Sequence, residues 1–171
     1  MGLTYGDIMN NGQNVIVAYD KSNIINMLDS SGNKIWESPE KYGGSTFYHQ
    51  RESNSPAIEG EREYLPMRIR INDINNNGVS EIIAIKNYEI TRNLFDKFRL
   101  YKEHHIELIT WDGYSFKTSC STGIIYGFVR DFAITDLDMD GRKELITVAV
   151  MREGKSIFQK AECYLVAYSI K

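Results

Sequence analysis

Apolar residues along this chain fall into short runs that alternate imperfectly with polar ones or stay apolar throughout. Clusters of Gly, Asn, Asp and Ser separate the runs, which is the pattern of half-buried or buried strands joined by turns. Strands are predicted at residues 3–5, 15–20, 24–29 and 34–37, then at 68–72, 81–86, 106–111 and 115–120. A third group follows at 131–135, 144–151 and 161–169. The turns between them carry their own signals: Lys21-Ser22-Asn23, Ser30-Ser31-Gly32 and the hairpin pair Asp112-Gly113. Helical spacing appears only at 91–99, where Leu94, Phe95 and Phe98 suggest a turn or two of helix capping a sheet. The fold class expected is all-β, built from antiparallel four-stranded meanders.

Residues 39–65 break this rhythm. Pro39, Pro56, Gly43-Gly44 and a cluster of Ser, Asn and Glu predict a solvent-exposed insertion between repeats, with 45–50 as a short strand or extended loop. The expected division is therefore 1–38, 66–122 and 130–171, with 39–65 inserted and 123–130 linking the last two. Copy three has no predicted fourth strand, because Ile170-Lys171 stands where the others have a turn and an outer strand.

The most informative stretch is Asp136-Leu137-Asp138-Met139-Asp140-Gly141-Arg142-Lys143-Glu144. Carboxylates at alternate positions, a glycine turn and a returning glutamate offer oxygens to a hard cation such as Ca²⁺. Asp136, Asp138, Asp140 and Glu144 would donate side-chain oxygens and Arg142 its carbonyl. An EF-hand is excluded by two features. Its loop ends in a glutamate at position twelve, which here is Thr147, and the flanks read as strand. The competing reading is an ordinary Asp/Asn/Gly turn with no ion.

The same phrase recurs 63 residues earlier, from Asp73 through Asn75, Asn77 and Gly78 to Glu81, with Val79 at the carbonyl position. A further 66 residues back stands a worn copy with Asp7, Asn11 and Gly12 in place, while Met9 and Val15 replace two ligands. This strand–DxDxDGxxE–strand repeat resembles the FG-GAP/VCBS repeat of integrin-α-like β-propellers, and Gly32-Asn33-Lys34-Ile35-Trp36 adds to the likeness. The resemblance covers nearly the whole chain. It implies a partial β-propeller of about two and a half to three blades, with Asp-rich loops between first and second strands. It also implies Ca²⁺ in those loops and a surface that meets partners. The ligand match extends to Asp136, Asp138, Asp140, Glu144, Asp73, Asn75, Asn77 and Glu81.

Composition narrows the function. With 171 residues and a net charge of −3, the chain is long enough for one domain and lacks the basic excess that nucleic acid or anionic lipid calls for. No run reaches the length of a membrane helix. Cys120 and Cys163 are expected to be buried free thiols, the alternative being a disulfide in an oxidising compartment. His104 and His105 alternate faces of a strand, so they cannot share a metal. With His49 they are expected at the surface.

No nucleophile elbow, zinc-binding helix or phosphate loop occurs, so no catalytic site is expected. The function expected is a non-catalytic, Ca²⁺-stabilised interaction module for a protein or glycan. It is expected to belong to a larger exported or surface protein whose leader is not part of this sequence. The alternatives are an accessory domain of an enzyme and a calcium-dependent carbohydrate-binding module, for which Tyr114 and Tyr126 are candidates by type. Three blades do not close a ring, so several assemblies stay open: a piece of a larger propeller, an open stack, a ring mixing strands of both termini, or a ring completed by another chain. In each, strand 161–169 is expected to be covered by a distant segment or by a second molecule.

Overall fold

The computed structural model describes residues 2–52, 60–90, 99–152 and 161–170. Four strands, β1 (Leu3–Gly6), β2 (Val15–Tyr19), β3 (Ile24–Leu28) and β4 (Lys34–Lys41), form an antiparallel first sheet in sequence order. A short hairpin follows, β5 (Tyr48–Gln50) with β6 (Arg62–Tyr64). The second sheet holds β7 (Arg70–Asn72), β8 (Glu81–Glu89), β9 (Tyr101–Trp111) and β10 (Phe116–Ser121), and β11 (Ile125–Tyr126) also pairs with β9. The third sheet is β12 (Phe128–Thr135), β13 (Glu144–Arg152) and β14 (Ala161–Ser169), with no fourth strand among the described residues. Among those residues there is no helix, and so none long and apolar enough to cross a membrane. The expected turn of helix at 91–99 lies almost wholly outside the described residues.

Side chains alternate along each strand, so each sheet has two apolar faces, and the sheets stack on them. Val15, Val17, Ile25 and Met27 of the first sheet pack with Ile69, Ile82, Ala84 and Ile109 of the second. Ile83, Ile85, Ile106 and Leu108, the opposite face of the second sheet, pack with Val129, Phe132 and Leu145 of the third. The unbroken apolar run of β8 is explained by this double burial.

The inserted segment is not simply a solvent loop. β4 runs on through Pro39, which an edge strand tolerates, and the ladder bulges there. Ser38 Oγ accepts the Ile25 N–H at 3.0 Å, so the bulge leaves no donor orphaned. Tyr42, Gly43 and Gly44 are then buried as the chain crosses to β8, where Gly43 bridges Lys86. Gly44 has φ of +92°, and a Cβ there would meet the Tyr101 ring at 2.8 Å, so no other residue fits this crossing. Asn87 ties three segments: its Nδ2 donates to the carbonyls of Gly44 and Val129, each at 2.8 Å, and its Oδ1 accepts the Val129 N–H at 2.9 Å.

Several expectations are corrected. His104 and His105 are both buried, and only His49 is exposed. They do alternate faces, but β9 is interior to its sheet and covered on both sides. His104 Nδ1–H donates to the Gly127 carbonyl at 3.0 Å, while His105 pairs through Nδ1 with the Tyr88 hydroxyl (2.7 Å) and through Nε2 with Glu107 (2.5 Å). Cys120 and Cys163 are free as expected but exposed, because each sits on a strand at the edge of its sheet. β5 pairs with β6 and β1 with β2, and neither pairs with β14. β14 remains a sheet edge among the described residues.

Candidate metal centre

The three acidic loops join β1 to β2, β7 to β8 and β12 to β13, so each connects the first two strands of its sheet. Their backbones are near copies. The fourth loop residue takes a left-handed conformation in each, Asn10 at φ 55°, Asn76 at 57° and Met139 at 63°. The sixth is glycine in the same region, Gly12 at 84°, Gly78 at 83° and Gly141 at 89°. Asn suits the left-handed region better than Met does.

The first aspartate closes each loop. Asp136 accepts the N–H groups of Asp140 at 3.1 Å and Gly141 at 2.9 Å through its two oxygens. Asp73 does the same for Asn77 and Gly78, at 3.0 and 2.8 Å, and Asp7 for Asn11 and Gly12, at 3.1 and 2.7 Å. The returning glutamate anchors the other side. Glu144 accepts the Leu137 N–H at 2.8 Å and Glu81 that of Ile74 at 3.2 Å. Loop one has Val15 there and no such anchor.

In loop three, oxygens of Asp136, Asp138 and Glu144 lie within 4.8 Å of one another, a hard-oxygen set suited to a divalent cation. Asp140 is outside that cluster, its Oδ1 accepting the Arg142 N–H at 2.8 Å. Loop two repeats the arrangement with neutral donors: Asn75 Oδ1 accepts from Asn77 at 3.1 Å, and Asn77 Oδ1 from Val79 at 2.8 Å. Arg142 and Val79 thus occupy matching places, their amides held by the fifth loop residue.

Sequence reasoning missed two features of loop two. Lys143 Nζ, on the third sheet, donates to the Asp73 carbonyl at 2.9 Å and to Asn72 Oδ1 at 3.0 Å. A fixed positive charge therefore sits beside loop two. Glu81 is buried, and that burial raises its pKa above the usual carboxylate value; the Asp73 charge adds to the rise, while the Ile74 N–H and Lys143 oppose it. The sequence carries no local signal for the Lys143 contact, which joins neighbouring repeats 70 residues apart.

A second polar cluster lies midway along β8 and β9. Glu107 accepts from Tyr42 and Thr118, each at 2.8 Å, and from His105. Burial opposes its charge, but these donors outweigh it and hold its pKa below the usual value. All of its members are paired, as a structural network requires.

No model of a known protein family matches this chain, and a search of curated proteins finds no match.

Proposed function

We propose that this chain is a calcium-stabilised, non-catalytic interaction module of the FG-GAP/VCBS kind, with its three sheets as successive propeller blades. The observation that carries the reading is the loop built three times on one plan, with three carboxylates converging in the most acidic copy. In this reading loop three holds an ion through Asp136, Asp138 and Glu144, with Asp140 and the Arg142 carbonyl available to complete the shell. Loop two uses Asp73, Asn75, Asn77, the Val79 carbonyl and Glu81. A bound divalent cation neutralises carboxylates that otherwise repel one another and pins the corner between two strands. The unfolded chain has no such site, so the ion's binding free energy adds to stability. Ligand sets of this charge suit extracellular calcium levels, which accords with a protein working outside the cytoplasm.

The test is thermal unfolding in calcium and in chelator, with binding followed by titration calorimetry. A rise in melting temperature with calcium, and none with magnesium at equal concentration, is the expected result. No shift and no heat of binding would remove the ion from the account.

One observation favours glycan binding as a second reading. A cleft of about 800 Å³ between the first and second sheets is lined by Tyr5, Trp36, Trp111, Tyr114 and Phe116, with Asn14 and Asp29 beside them. Aromatic rings next to amide and carboxylate groups suit sugar rings. The cleft adjoins loop one, the loop with fewest ligands, so an ion bridging to hydroxyls is not part of this reading. Glycan-array binding abolished by Tyr114→Ala, with calcium irrelevant, would favour it.

A further inference from the structure

Each sheet has a leading face, which in sheets one and two packs on the sheet that follows, and a trailing face, which in sheets two and three packs on the sheet before. Two junctions follow one rule. The leading face of sheet one receives the trailing face of sheet two, and the leading face of sheet two receives that of sheet three. One trailing face, on sheet one, and one leading face, on sheet three, meet no sheet among the described residues.

Equivalent positions make the gap quantitative. The second loop residue is Ile8, Ile74 and Leu137 in the three copies, and its exposure is 0%, 1% and 58%. The first two are buried in the junction with the following sheet. On the third strand, Ile25, Ile106 and Leu165 occupy one register position, opposite Tyr19, Ile85 and Val148. Their exposures are 0%, 3% and 77%. The trailing side mirrors this. Leu3, Ile69 and Phe132 are equivalent, and Leu3 is 49% exposed while the others are at 0% and 3%. An apolar residue thus stands at each junction position although it is exposed in sheet three and, on the other side, half exposed in sheet one.

We propose that these two faces are complementary, and that the leading face of sheet three receives the trailing face of sheet one from a second copy of this chain. The proposal rests on the reading of the sheets as successive blades, not on calcium. The occupant follows from continuity with the existing junctions: the surface on sheet three repeats one that twice accepts a trailing face, and the chain itself offers one uncovered trailing face. Polar contacts extend the match. Lys143 reaches back to loop two, and the Ser80 N–H reaches back to Asn10 of loop one at 3.0 Å. Asn14 holds the same place in sheet one and is exposed, free to meet loop three of a neighbour. Two chains related by a twofold axis use both faces twice, giving a ring of six sheets with neither face left open, within the usual range of blade number.

Sedimentation velocity across a wide range of protein concentration tests this. The expected species has twice the chain mass of 19.7 kDa. Leu165→Lys on one face and Leu3→Glu on the other should each weaken association by about tenfold or more. The double variant should recover it, since every junction then pairs a lysine with a glutamate. Both side chains are exposed in the single chain, and near-ultraviolet circular dichroism checks that the variants keep the fold. A monomer at every concentration overturns the proposal. So does a dimer sensitive to only one of the two substitutions, which would mean like face on like face, or a dimer indifferent to both. Calcium-dependent melting of the monomeric Leu3→Glu variant tests the loops separately, so the two proposals fail independently.

Discussion

Replacing Asp136 by alanine removes two things at once, and the structure allows them to be separated. Asp136 accepts two backbone N–H groups and also belongs to the carboxylate cluster. Asp7 makes the same two backbone bonds in a loop without the other ligands. Loss of such a turn-closing acceptor costs about 0.5–2 kcal/mol, with or without an ion. Asp7→Ala should therefore destabilise equally in calcium and in chelator. Asp136→Ala should carry an added cost in calcium alone. For a site of roughly 10⁻⁴–10⁻³ M affinity in ~10 mM calcium, that cost is about 1.4–2.7 kcal/mol. In a chain of this length it corresponds to roughly 3–10 °C in melting temperature. Differential scanning calorimetry of wild type and both variants in the two buffers gives the double difference directly. If Asp136→Ala and Asp7→Ala respond alike to calcium, Asp136 closes a turn and binds nothing.

Loop three should bind calcium more tightly than loop two, because it has four carboxylates against two and its own Lys143 directs its ammonium onto loop two; calorimetric titration with each loop disabled in turn decides this, and a tighter loop two would refute the charge argument. Asn87→Ala should cost roughly 3–5 kcal/mol in urea unfolding, since it strands the Val129 N–H and two buried carbonyls; a loss below about 1 kcal/mol would show that water replaces the amide. Burial lowers the pKa of His104, so its folded form stays neutral while the unfolded chain takes up a proton below about pH 6.5. That contribution is present above pH ~6.5 and lost as pH falls towards the folded value, by at most about 1.4 kcal/mol per pH unit. In chelator, His104→Leu should flatten this slope, and parallel profiles would assign the acid sensitivity elsewhere.

What could be read in advance was what is local. The acidic loops were visible because all their oxygen-bearing positions fall within nine consecutive residues, and a turn closed by one aspartate needs nothing from the rest of the chain. Most strand positions were right to within a few residues for the same reason, although Pro39 and the length of β9 were misjudged and β6 and β11 were not foreseen. Contacts between repeats were not visible. The burial of His104 and His105, the reach of Lys143 to loop two and the Asn87 tie all depend on which sheet stacks on which. Exposure of the cysteines was missed because a β-branched neighbourhood does not reveal whether a strand is interior or at an edge.

Loop one keeps its corner after losing its acidic partners. Asp7, through two backbone amides, suffices to turn the chain, and Gly12 completes the bend. The bend is thus separable from the carboxylates at the third, fifth and ninth places of the same nine-residue phrase. On the proposed reading, affinity for a cation is then set repeat by repeat while the corner itself is kept.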